Sequence, residues 1–184
     1  MTSEPTICRR CFNKFNPRFY KFSVSNVKAL AIFDYDATLQ ELIYQFKGCY
    51  DYELRSIFLE YFALYLKIKY FGYVLVPAPS HISHDEKRGF NHVVEIFKTL
   101  KLPILNIIKK NTEVKQSDLS AKEREQISKH LSIDNGELIR HKKVLLVDDV
   151  FTTGSTMKAM INLVRKYHPK KLQVLVLSKT QNST

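Results

Sequence analysis

Glycine is scarce in this sequence. The five glycines among 184 residues (Gly48, Gly72, Gly89, Gly136 and Gly154) are widely scattered. No two share a G-x-G-x-x-G, a G-x-S-x-G or a G-x-x-x-x-G-K pattern. A dinucleotide fingerprint, a nucleophile elbow and a Walker loop are therefore excluded in their standard forms. Cysteine is scarce too. Three cysteines, an odd number, argue against a secreted disulfide framework and for a reducing, cytoplasmic setting. Residues 1–7 lack the apolar core of a signal peptide. The apolar stretch 57–76 is broken by Glu60, Lys67 and Lys69, so no membrane span is expected. Gly/Ser linkers, low-complexity tracts and internal repeats are missing, and no Ser/His/Asp or Cys/His arrangement stands out.

What is present is ordinary globular material: 45% hydrophobic and 26% charged residues, in a length that buries a core without disulfide staples. The net charge of +11 implies attraction to phosphate-rich partners, either a small polyphosphate or a nucleic acid. Solubility alone is the bland alternative. Residues 1–27 read as an N-terminal appendage to a main domain at 28–184. Arg9, Arg10, Lys14, Arg18 and Lys21 alternate there with Phe12, Phe15, Phe19, Tyr20 and Phe22. That composition suits unstacked bases and backbone phosphates. Cys8 and Cys11 have the spacing of half a zinc site, whereas a structural site needs four donors.

Hydrophobic periodicity sets out the rest. A strand is expected at 27–34, then a helix from a Thr38-x-x-Glu41 capping box to Lys47, and a second helix at about 51–70. Strands at 73–76 and 104–108 flank a helix at 91–100. A further capping box, Ser120-x-x-Glu123, opens a helix to Leu131. Strand 143–148, helix 155–167 and strand 172–177 complete the chain. Strands alternating with helices predict an α/β fold with a mainly parallel sheet flanked by helices. The early strand and helices are expected as a hood over one edge. The tyrosine- and phenylalanine-rich 52–70 segment reads as core more than as a stacking platform.

Residues 144–156, Val-Leu-Leu-Val-Asp148-Asp149-Val-Phe-Thr152-Thr153-Gly154-Ser155-Thr156, carry the chemistry. A buried strand ends in two carboxylates, and small hydroxyl residues with one glycine lead into a helix. Ligands of open α/β sheets bind beyond the carboxyl ends of the strands. A helix N-terminus with free N–H groups suits phosphate, and Gly154 lets the backbone close around it. Paired carboxylates accept from vicinal hydroxyls or help hold a divalent metal. A phosphate beside a diol describes a ribose 5-phosphate. A merely solvated pair before an N-capped helix explains one hydroxyl residue, not the whole run. His81-x-x-His84 has a metal-like spacing without a carboxylate-rich companion. His92, His130, His141 and His168 form no recognisable constellation.

This stretch resembles the phosphoribosyl pyrophosphate (PRPP) loop of type I phosphoribosyltransferases. More of the chain is similar to the ComF/GntX family, associated with competence for DNA uptake, through Leu42-Ile-Tyr-Gln-Phe-Lys47-Gly48, Val76-Pro-Ala-Pro79, Lys87-Arg88-Gly89-Phe90-Asn91, Gln116-Ser-Asp-Leu119-Ser and Arg124. The resemblance implies a type I phosphoribosyltransferase-like fold with a small hood. It implies that Asp148 and Asp149 contact the ribose hydroxyls and that Thr152, Thr153, Gly154, Ser155 and Thr156 hold the 5-phosphate. Ala78, Pro79, Ser80 and His81 would sit at the pyrophosphate. Lys87 and Arg88 would close over the leaving group, with Lys109, Lys110 and Lys115 flanking the hood. Mg²⁺ would accompany PRPP. Family members usually carry a four-cysteine zinc knuckle. Here only Cys8 and Cys11 remain: either the start is truncated, or the finger has decayed, or two chains share a Zn²⁺ ion.

Three functions follow as alternatives: a phosphoribosyltransferase with an unnamed acceptor, in competence or in nucleotide or cofactor salvage; a PRPP-binding module whose basic surface handles single-stranded DNA during transformation; and a structural partner of a competence helicase. The intact 148–156 pattern argues against the last.

Overall fold

The computed structural model describes residues 9–80, 89–110 and 131–180. Strands β1 (Pro17–Val24), β2 (Val27–Asp34), β3 (Tyr73–Pro77), β6 (Lys143–Phe151) and β7 (Lys171–Lys179) form one sheet in the order β1-β2-β7-β6-β3. β1 runs antiparallel to β2, and every other pairing is parallel. β4 (Ile108–Lys110) and β5 (Leu131–Ile133) form a separate antiparallel pair. The helices are the four-residue α1 (Arg9–Phe12), α2 (Ala37–Gly48), α3 (Ala63–Lys69), α4 (His92–Lys98) and α5 (Ser155–Arg165).

The sheet is covered on both faces, which explains the continuous apolar runs of its central strands. On one face Leu145, Val147, Leu175 and Leu177 pack with Leu39, Ile43 and Phe46 of α2 and Val93, Ile96 and Phe97 of α4. On the other, Val144, Leu146, Val174 and Val176 meet Met157, Met160, Ile161 and Val164 of α5. Those four α5 residues follow the i, i+3, i+4, i+7 spacing of a single buried stripe. Phe33, Phe46, Phe58 and Phe97 are fully buried, each stabilising the fold by about 1.5–3 kcal/mol.

The expected mainly parallel α/β architecture is present, with several corrections. β1 is the edge strand of the main sheet, and Phe12 and Phe15 lie in its core. Within the expected appendage, Phe12, Phe15 and β1 thus belong to the main domain. β1 mixes half-buried with exposed residues before the buried Val24, a pattern that imitates a solvated arm. β2 lies between β1 and β7 within the sheet, not in a hood. The helix expected at 51–70 is broken into 3₁₀ turns at Tyr52–Arg55 and Glu60–Phe62 before α3. Ile57, Phe58 and Leu59 are all buried, and three consecutive inward residues cannot share one helical stripe. The strand expected at 104–108 is reduced to a single bridge, Ile104 to Leu75, with β4 beginning at Ile108. The cap of α2 is Asp36, whose Oδ1 accepts from Leu39 N (2.9 Å), so Thr38 lies inside the helix. The helix expected at 120–131 falls outside the described residues, except Leu131, which opens β5.

Candidate functional site

β6 carries Asp148 and Asp149 beyond the last buried residues of its apolar run, at the carboxyl end of the parallel strands. Side chains alternate along a strand, so the two carboxylates leave it on opposite faces. Asp149 joins the face covered by α2 and α4, where it is 5% exposed. Its Oδ2 accepts from Lys47 Nζ (2.6 Å) and from His92 Nε2 (3.3 Å), and its Oδ1 accepts from Val150 N (2.8 Å). A carboxylate offers about four acceptor positions, so most of Asp149's capacity is committed. Asp148 is half-buried, and its Oδ1 accepts from Asp149 N (2.9 Å).

These surroundings separate the two acids. Burial works against the Asp149 charge. The His92 hydrogen bond and the Lys47 ammonium outweigh it and hold this carboxyl well below the usual carboxylate range. Burial pushes Asp148 up, and the neighbouring Asp149 charge adds to the rise. Asp149 is the ionised anchor, and Asp148 is the group that gives up its proton reluctantly.

Lys47 occupies the last turn of α2, where a cation also complements the helix carbonyls. It follows Ile43 by four and Leu39 by eight, which places it on the stripe that buries those residues. A lysine continuing an apolar stripe is the local signal by which it could have been found. His92 opens α4 immediately after its cap, Asn91. The Asn91 Oδ1 accepts from Val94 N (3.0 Å), while its Nδ2 donates to Ser80 Oγ (3.0 Å). One asparagine thus ties the segment after β3 to the helix that presents His92. Sequence analysis singled out neither Lys47 nor His92 as a site residue. The structure corrects the reading of His92 as isolated, because its partner lies 57 residues away.

After β6 the chain turns through Thr152, Thr153 and Gly154 into α5. Thr152 and Thr153 are exposed and Ser155 and Thr156 half-buried. Thr153 Oγ1 lies 2.7 Å from Ser155 Oγ, and Ser155 N donates to Thr153 Oγ1 (3.4 Å). Gly154 has φ +73°, and a Cβ there would stand 2.5 Å from Cζ of the buried Phe151. Gly154→Ala is expected to cost at least about 2 kcal/mol, from left-handed backbone and displacement of that ring. Urea denaturation measures it, and an unchanged midpoint would contradict this reading of the turn.

Of the expected pyrophosphate segment, Ala78 is buried, its N donating to Val147 O (2.8 Å), and Pro79 and Ser80 are half-buried. His81, His84, Lys87, Arg88, Lys115 and Cys8 fall outside the described residues, as do the side chains of Arg9 and Cys11. Lys109 and Lys110 are exposed on β4. Among the described residues no three His, Cys, Asp or Glu side chains converge on a point that could hold a metal ion.

Arg10, Lys14, Arg18 and Lys21 are exposed. The phenylalanines between them are engaged internally and are not free to stack on bases, while Tyr20 is exposed. Phe12 stacks on Tyr61 with ring centroids 3.9 Å apart, Phe15 meets Phe33, Phe19 meets Phe62 and Tyr65 edge-on, and Phe22 meets Phe151. Among the described residues no helix is long and apolar enough to cross a membrane.

The family described as Phosphoribosyl transferase domain matches residues 87–184. The chain is similar to competence protein ComFC of Streptococcus pneumoniae, at 29% identity over 147 residues, covering 80% of this chain and 66% of that protein. It is similar to competence protein F of Haemophilus influenzae, at 33% identity over 114 residues, covering 57% and 49% respectively. The chain thus spans from half to just under two thirds of the length of these relatives. Among solved structures, a hypoxanthine phosphoribosyltransferase of Staphylococcus aureus aligns over 68% of this chain and 62% of its own, at 17% identity and a TM-score of 0.44. The chain belongs to the phosphoribosyl transferase domain family, and it is similar to the two competence proteins over the spans given.

Proposed function

We propose that this domain binds PRPP and transfers its phosphoribosyl group to an acceptor, in the service of natural competence. The observation that carries the reading is the placement of Asp148 and Asp149 at the carboxyl end of β6, directly before the Thr152–Thr156 turn that opens α5. The 5-phosphate takes the N–H groups and hydroxyls of that turn. Asp148, which has spent one oxygen on the backbone, accepts from the ribose diol. Asp149 holds that end of β6 in place through Lys47 and His92, and turns its remaining acceptor capacity to the sugar.

In the reaction the C1–O bond to pyrophosphate breaks as C1 bonds to the acceptor. Magnesium enters as part of the PRPP substrate and neutralises the leaving group. This chain's part is positioning and electrostatic stabilisation. The segment Ala78–His81 would face the pyrophosphate, with Lys87 and Arg88 closing over it and Lys109, Lys110 and Lys115 beside the opening. Calorimetry with PRPP and Mg²⁺ should show saturable heat for the wild type and none for Asp148→Asn/Asp149→Asn. An absence of heat with the folded wild type would contradict the reading. The alternative role in nucleotide or cofactor salvage uses the same site, and a screen of acceptors for pyrophosphate release separates the two.

The names of the similar competence proteins favour a role in transformation, with single-stranded DNA or a competence helicase as partner. For DNA, Arg10, Lys14, Arg18 and Lys21 would contact phosphates without stacking bases. Affinity should then fall with salt at a log–log slope near −0.7 per contact. Binding insensitive to salt would contradict this.

A further inference from the structure

At the opposite end of the sheet, β1, the starts of β2 and β7 and the end of α3 line an open cavity of about 550 Å³. Leu30 and Tyr70, both buried, contribute its apolar floor, and Lys21, Lys28 and Lys69 stand at its rim. The cavity does not belong to the 148–156 site. Its Gln173 pairs in register with Leu145 of β6, four residues before Asp149, or roughly 13 Å along the strand.

The charge around the cavity is one-sided. Among the described residues, no carboxylate forms an ion pair with Lys21, Lys28 or Lys69. Lys143 and Lys171 add to the same pole, 5.8 and 6.0 Å from the ring centroid of Tyr73. The Tyr73 hydroxyl donates to Gln173 Oε1 (3.0 Å). That bond fixes the amide with its acceptor used and its N–H donors still to place. Lysines gathered without counter-charge repel one another, and the repulsion is relieved when an anion binds between them. Inorganic phosphate is far too small for this volume, which lies in the range of ligand pockets. An apolar floor under a cationic rim fits a flat apolar body bearing several negative charges. Lysine ammoniums, as rotatable point charges, suit a polyphosphate without demanding one geometry.

We propose that this cavity binds a nucleoside di- or triphosphate, with the phosphates between Lys21, Lys28 and Lys69 and the base over Leu30 and Tyr70. The site is independent of the donor site, so the domain can hold a nucleotide and a phosphoribosyl donor together.

The test is a fluorescence titration of the full chain with N-methylanthraniloyl-ADP, in the presence of saturating ribose 5-phosphate. Wild type and Asp148→Asn/Asp149→Asn should bind the probe alike. Lys28→Ala/Lys69→Ala should bind it at least tenfold more weakly while keeping its melting temperature and its heat with PRPP. Unchanged affinity in the lysine variant, or loss confined to the aspartate variant, would overturn the proposal. Displacement arms identify the source of the phosphate. ADP should displace the probe at a lower total phosphate concentration than a single-stranded oligonucleotide, and the reverse order would replace the mononucleotide with a strand. Failure of PRPP binding in every variant, with probe binding intact, would overturn the proposed function and leave this site standing.

Discussion

Lys47→Met is expected to lower the unfolding free energy by about 3 kcal/mol, the low end of what removing one partner of a buried ion pair costs. Asp149 is 5% exposed, so its charge has no water to fall back on. The Lys47 side chain is one-third exposed, which keeps the loss from the upper end of the range. Lys47→Arg restores the charge in a different shape and should recover part of the loss. Lys47→Met/Asp149→Asn removes both charges and should be more stable than Lys47→Met alone. Urea denaturation of wild type, Lys47→Met, Asp149→Asn and Lys47→Met/Asp149→Asn gives the coupling directly. Additive effects would show that the 2.6 Å pair contributes nothing specific.

The two aspartates should respond to neutralisation with opposite signs. Asp149 has a depressed folded-state pKa, so its contribution is present above the unfolded value near 4 and is lost as pH falls through the folded one. Asp149→Asn removes that contribution at neutral pH, strands Lys47 and His92, and should cost about 2–3 kcal/mol. Asp148 is raised. Its burial opposes ionisation, so its charge destabilises the fold above the unfolded pKa, and the penalty disappears as pH falls and the group protonates. Asp148→Asn should therefore stabilise the domain at neutral pH, and under the proposed function it also removes the charge that would meet the ribose. Such a trade of stability for function is common in binding sites. Denaturation at pH 7 checks both variants, and destabilisation of equal size in both would contradict the division of roles.

The site was legible wherever its information is local. Residues 144–156 announce a buried strand, two acids, a hydroxyl-rich turn and a helix in a single run, and β6 and α5 have that order. Asn91 was legible only as part of a family pattern, since its bond to Ser80 joins segments with no local relation. Lys47 lies 102 residues from Asp149, and His92 begins a short helix with nothing beside it in sequence to mark a partner. Their roles exist only once α2 and α4 are laid on the same face of the sheet. The misreading of 17–24 has a related cause: basic and aromatic residues alternate equally well in a solvated arm and in an edge strand. The phenylalanines settle inward because Phe33, Phe62 and Tyr65 await them, and nothing within 17–24 reports that.

A crystal structure of the full chain with PRPP and Mg²⁺ tests the central claim most directly. The account predicts the 5-phosphate within hydrogen-bond distance of the backbone N–H groups of 152–156, and the ribose hydroxyls within reach of the Asp148 carboxylate. PRPP bound elsewhere, with the 152–156 turn empty and its 5-phosphate on other residues, would contradict it.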